Sequence, residues 1–152
     1  MRSTTVGRKP CRASQWAKDA LLDAAVARLL EPVVGRARDL LAQTTPCQAL
    51  RTFLRELIDF QAAHHAINDQ LGGLDLPDTT ALRAELAAAM EEMAAGAQRD
   101  GEVRADLDAA LVTTLIGHTA LGVARARPPS PALVDAYLAV LLDGLGPRPS
   151  EQ

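Results

Sequence analysis

Residues 101–126, GEVRADLDAALVTTLIGHTALGVARA, decide the reading of the fold. Gly101 is suited to the left-handed conformation that ends a preceding helix. A short turn follows, and Asp106 offers a carboxylate to cap a new helix over 107–126. That helix is apolar nearly all round, and Gly117, Ala120 and Ala124 permit close approach of another helix. Asp108, His118 and the threonines Thr113, Thr114 and Thr119 argue against a lipid-facing span. The stretch therefore reads as a helix buried on most sides by protein. Such a helix is either central in its own domain or pressed on a partner.

The same punctuation recurs on both sides. Thr45-Pro46 supplies an N-cap and a first-turn proline for a helix ending near Asn68. On it Phe53, Leu57, Phe60 and His64 share one face, and Leu50, Leu54, Ile58, Gln61 and His65 share the adjoining one. Ahead of it, Leu22, Val26, Leu29, Val33 and Leu40 give helical spacing from about Trp16 to Ala42, with Pro32 expected to kink or split the helix. A loop over 71–78 holds Gly72, Gly73 and Pro77. Asp78 or Thr79 then caps a helix over about 79–99, with Leu82, Leu86, Ala89, Met90, Met93 and Ala97 as its apolar stripe. Ser130 and Pro131 open a last helix to about 145. The expectation is an all-α bundle of about five helices, with no repeat and no strand. A basic, disordered head (1–16) precedes a helical domain (17–146) and a flexible tail (147–152).

Composition agrees. Of 152 residues, 29 are Ala and 23 are Leu, whereas the aromatics are only Trp16, Phe53, Phe60 and Tyr137. So much helix former and so little β-branched or aromatic residue excludes a sheet-built core. Residues 1–18 carry five basic side chains and no acid, and the remainder carries a net charge of −8. An acidic body is a poor surface for nucleic acid. Cys11 and Cys47 lack metal-type spacing and cannot form a disulfide framework, which fits a reduced, cytoplasmic protein. No apolar segment follows the basic start, so no secretory signal and no membrane association is expected.

Chemistry-bearing patterns are sparse. There is no Gly-rich phosphate loop, nucleophile elbow or zinc-protease pair. His64 and His65 point about 100° apart on a helix and cannot chelate one ion. No catalytic residue, metal site or cofactor is expected. The apolar positions that fit a binding cavity are Phe53, Leu57, Phe60, His64, Met90, Met93 and His118. His64 there is a polar group able to orient a ligand, and Met suits varied apolar ligands. The last two helices carry more apolar surface than one face needs. Leu121, Val134, Tyr137, Leu138, Leu141, Leu142 and Leu145 are therefore candidates for a homodimer interface.

Three stretches carry a family resemblance. Lys18-Asp19-Ala20-Leu21-Leu22 and the long helix after it are similar to the connecting helix of TetR-family transcriptional regulators. Gly101-Glu-Val-Arg104-Ala-Asp106, followed by an apolar helix, resembles that family's G-x-V-R-x-D turn. The Ala/Leu-rich ending, Leu133 to Leu145, is similar to its final dimer helix. The resemblance covers about 17–146. It implies a C-terminal ligand-sensing and homodimerisation domain, binding a small hydrophobic molecule.

Family members carry a three-helix DNA-binding domain ahead of the connecting helix, ending in a segment like G-x-x-Y-x-H-F. Here Gly7 to Trp16 lacks that Tyr, His and Phe, and fifteen residues cannot form a helix-turn-helix with its core. The expectation is a regulator without its own DNA-binding head, its start truncated or frameshifted rather than naturally headless. DNA is a partner only if an upstream domain is missing. The alternative is a helical protein–protein interaction module, or a dominant-negative partner of a full-length regulator, with no small-molecule ligand.

Overall fold

The computed structural model describes residues 11–126 and 129–149. Five helices form in order: α1 Arg12–Gln43, α2 Pro46–Gln70, α3 Pro77–Arg99, α4 Ala109–Ala124 and α5 Pro131–Leu145. No strand forms among the described residues. α1 lies along α3, α2 packs against α3 and α4, and α5 rests on α2 and α4. No described helix is long and apolar enough to cross a membrane. Most of the expected head and the end of the expected tail, 1–10 and 150–152, lie outside the described residues.

The main core draws on all five helices. Leu50, Phe53, Leu54 and Ile58 of α2 meet Met93 of α3, Val112 and Ile116 of α4, and Leu138 of α5, all essentially without solvent contact. Burying each such side chain contributes about 1.5–3 kcal/mol. A second cluster joins Val26 and Leu30 of α1 to Leu71 and Leu76 of the α2–α3 loop. At Gly96 the helices approach closely: a Cβ there would stand 2.6 Å from Pro46 Cγ. Exposed ion pairs add little between helices, among them Arg36–Glu56 and Arg55–Asp135.

Two expected starts are capped as read. Thr45 Oγ1 accepts the Gln48 N–H at 3.4 Å, and Ser130 Oγ accepts the Leu133 N–H at 3.2 Å. Gly101 has φ +77° and ends α3. The Glu102 N–H donates to Ala97 O at 3.0 Å and the Gly101 N–H to Gln98 O at 3.1 Å, the paired bonds of a Schellman stop. Val103 then turns inward, 2 % exposed.

Other expectations need correction. α1 begins at Arg12, four residues before Trp16, with Ser14 Oγ donating to Cys11 O. Pro32 does not split it. Pro32 and Arg28 are both exposed, so water can satisfy the Arg28 carbonyl, which is left without a helical partner. The irregularity falls instead in α2, at His64 (φ −118°, ψ 15°). Asp106 does not cap α4. The Arg104 guanidinium holds its carboxylate at 2.5 and 2.6 Å, so α4 starts at Ala109 with Asp108 Oδ1 accepting the Ala110 N–H. Neither Asp78 nor Thr79 caps α3. The cap comes from α1: Asp23 Oδ2 accepts the Asp78 N–H at 2.9 Å, and Oδ1 accepts the Thr79 N–H and hydroxyl at 2.8 and 2.7 Å. Finally, the chain by itself does not bury α4 on most sides, since Leu111 and Leu115 stand about half exposed.

Candidate functional site

α2, α3 and α4 diverge around a cleft of about 500 Å³ that α1 closes with Leu30. Its α2 wall carries Leu57, Phe60, Gln61 and Asn68. Its α3 wall carries Arg83, Leu86, Ala87 and Met90, and α4 contributes Thr113, Thr114, Gly117, His118 and Leu121. Arg125, just past α4, completes the lining. The volume lies in the range of small-molecule sites, and an apolar lining with a few polar groups is their usual character.

The polar groups are unevenly spread. At one end the Arg83 guanidinium donates to Asn68 Oδ1 at 3.0 Å, and Arg125 pairs with Asp69 at 3.0 Å. No acidic residue is among the lining residues. Deeper in, Gln61 Oε1 is buried and makes no hydrogen bond among the described residues. A buried acceptor left unpaired costs about 1–3 kcal/mol, so such atoms invite a donor. Arg125 also lines a hollow of about 560 Å³ beside Ala62, His65, Asp69 and Pro129.

Of the residues expected at a binding site, Leu57, Phe60, Met90 and His118 line this cleft. His118 is exposed, its Nδ1–H donating to Thr114 O at 2.7 Å. Phe53 lies instead beside a smaller cleft of about 230 Å³, next to Pro32 and Arg36, which shares Leu57 and Phe60. His64 stands behind Phe60, ring centroids 4.4 Å apart, with its Nδ1–H donating to Phe60 O. Met93 is fully buried in the core. Gln61, Arg83, Asn68, Thr113, Gly117 and Arg125 were not expected at the site. Gln61 carried the one available signal, a polar residue one turn beyond Ile58 on a face that is apolar from Leu50 up to that point.

The α4–α5 pair has two sides. Val134 and Leu138 turn into the chain's own core. Leu121, Tyr137, Leu141, Leu142 and Leu145 are half-buried, with the Tyr137 hydroxyl 2.8 Å from Thr119 Oγ1. The outward apolar side belongs to Leu111, Leu115, Leu133 and Val140, the last 74 % exposed. Among the described residues, no three His, Cys, Asp or Glu side chains gather as a metal site would require.

The turn before α4 serves structure. Gln98 Nε2 donates to Arg104 O and Leu107 O, and the Arg104 N–H donates to Leu145 O at 2.7 Å, closing the end of α5. Hydrogen bonding by Arg104 brings the Asp106 carboxyl down to about 2.

No curated protein matches the chain. The crystal structure of a TetR transcriptional regulator from Streptomyces coelicolor is similar, with a TM-score of 0.66 and 25% identity over 93% of this chain and 82% of that one. Residues 45–147 match the family described as "Transcriptional regulator SbtR-like, C-terminal domain". That match runs from the start of α2 past the end of α5, taking in three walls of the cleft and both helices of the outward apolar face. The chain thus belongs to the TetR-type transcriptional regulators, and these helices are their SbtR-like C-terminal regulatory domain.

Proposed function

We propose that the chain acts as the ligand-sensing and homodimerising part of such a regulator. The observation that carries the sensing role is the cleft: about 500 Å³, mostly apolar, with a buried acceptor that has no partner among the described residues. Regulators of this family generally bind small ligands and form dimers. A packed interior would leave neither the space nor the unpaired Gln61 oxygen.

The cleft is joined to α1 at two points. Leu30 forms part of its lining, and seven residues earlier Asp23 holds the first turn of α3. Arg83 and Leu86 lie one and two turns beyond that anchored start. A ligand that parts α3 from α4 therefore loads the Asp23 clasp and shifts α1. Occupied and empty cleft favour different α1 positions, a population shift set by differential affinity. Homodimerisation uses the outward side of α4 and α5, where four large apolar side chains stand 40–74 % exposed. A two-fold contact between copies removes that surface from water.

Gly117 offers a clean test of the sensing role. It lines the cleft, and a Cβ there meets nothing within 4 Å. Gly117→Leu fills the cleft without disturbing the core. In a thermal-shift screen of small amphipathic compounds, wild type gains melting temperature with a binder, and Gly117→Leu does not. A gain that persists in Gly117→Leu, or a screen in which nothing raises the wild-type melting point, contradicts the proposal.

A further inference from the structure

The cleft is long, and its polar groups are placed along its length. Leu57 and Asn68 mark two ends of its α2 wall, about 16 Å apart at the rise of a helix. Met90 and Thr113 lie toward the Leu57 end, whereas Arg83 and Arg125 gather at the Asn68 end. The cleft is thus apolar at one end and cationic at the other. Arg83 bonds only neutral Asn68 and makes no ion pair among the described residues. Arg125 has Asp69, but both partners are more than half exposed, so the pair is weak and exchangeable. Gln61 sits between the ends, seven residues before Asn68, which is about 10 Å along the helix.

We infer that the ligand is an elongated amphipathic carboxylic acid with a hydroxyl or N–H about 10 Å from its carboxylate, by the same helical rise. The carboxylate meets Arg83 and Arg125, whose planar forks suit it. The hydrocarbon body lies along Leu57, Phe60 and Met90. The donor reaches the buried Gln61 Oε1, which has no hydrogen-bond partner among the described residues. This rests on the cleft being a ligand site and adds the class of ligand it takes.

The probes are decanoate, 1-decanol, decylamine and 8-hydroxydecanoate, titrated calorimetrically into the full chain and into Gly117→Leu. Decanoate binds about tenfold more tightly than 1-decanol, the scale of one charge-assisted contact, and decylamine binds most weakly. The acid's advantage shrinks in Arg83→Gln/Arg125→Gln and with added salt, while 1-decanol is unaffected. 8-Hydroxydecanoate matches or exceeds decanoate in wild type and falls below it in Gln61→Leu, where the hydroxyl loses its acceptor.

Equal affinity for acid and alcohol, or a preference for the amine, overturns the proposal. Should those ligands still be lost in Gly117→Leu, the cleft reading survives and only the ligand class fails. Decanoate binding that persists in Gly117→Leu also overturns the proposal. If the hydroxyl weakens binding in wild type, the role given to Gln61 is wrong.

Discussion

Replacing Leu115 by Glu probes the outward face of α4 where the chain itself needs it least. Leu115 is 52 % exposed, so its own fold uses about half of the side chain. Full burial of a leucine contributes about 1.5–3 kcal/mol, which leaves about 1 kcal/mol for a partner to gain. In a two-fold dimer each copy presents the residue, giving about 2 kcal/mol in total. That corresponds to about a 30-fold weaker dimer. A carboxylate facing its symmetry mate, or buried without a cation, adds to the loss. Leu111→Glu, at 49 % exposure, behaves alike, and the double variant is monomeric throughout. Sedimentation velocity over a concentration series measures the change, and circular dichroism shows that the helices persist. Leu74→Glu is the control, since Leu74 is also exposed, at 38 %, but sits in the α2–α3 loop. If Leu115→Glu sediments like wild type while folded, or if wild type is monomeric at every concentration, the reasoning fails.

Acid should destabilise the protein in a defined window. Burial works against the Asp23 carboxylate, but hydrogen bonds from Thr79 and Asp78 outweigh it and hold its pKa below the usual range. Arg104 holds Asp106 at about 2. Between about pH 4 and 2 the unfolded chain binds more protons than the folded one, so melting temperature falls there as acid is added. Asp106→Asn makes that fall shallower. Gly96→Ala loses stability, because its Cβ meets the rigid Pro46 ring and overpacking of about 1–3 kcal/mol exceeds the helical gain of about 1 kcal/mol. Gly117→Ala meets nothing and raises the melting temperature by about 2–4 °C. An aromatic disulfide reagent should titrate exposed Cys11 first, since burial and a hydrogen bond with Glu102 raise the Cys47 pKa.

Local chemistry made much of the fold legible. Thr45-Pro46 and Ser130-Pro131 mark helix starts because a cap acts within three residues, and Gly101 marks a stop because φ above zero suits glycine. The failures have a common cause. Asp23 caps a helix more than fifty residues away, and nothing near Thr79 announces it. Asp106 and Asp108 look alike in sequence until Arg104 claims the first. The candidate site followed the same rule. Apolar periodicity found Leu57, Phe60 and Met90, but it also drew in the core residue Met93. Arg83 and Arg125 carry no such signal, since only the packing of three helices brings them to one end of a cleft.

If the domain is a sensor as proposed, a small molecule enters between α2, α3 and α4. Two methionines in adjacent turns of α3 report on it, Met90 on the cleft wall and Met93 in the core behind. With methyl-labelled methionine, the compound giving the largest thermal shift is titrated while both resonances are followed. A saturable shift of the Met90 methyl is expected, with a smaller response at Met93. Two unmoved resonances at saturating ligand would contradict it, because the ligand would then sit elsewhere.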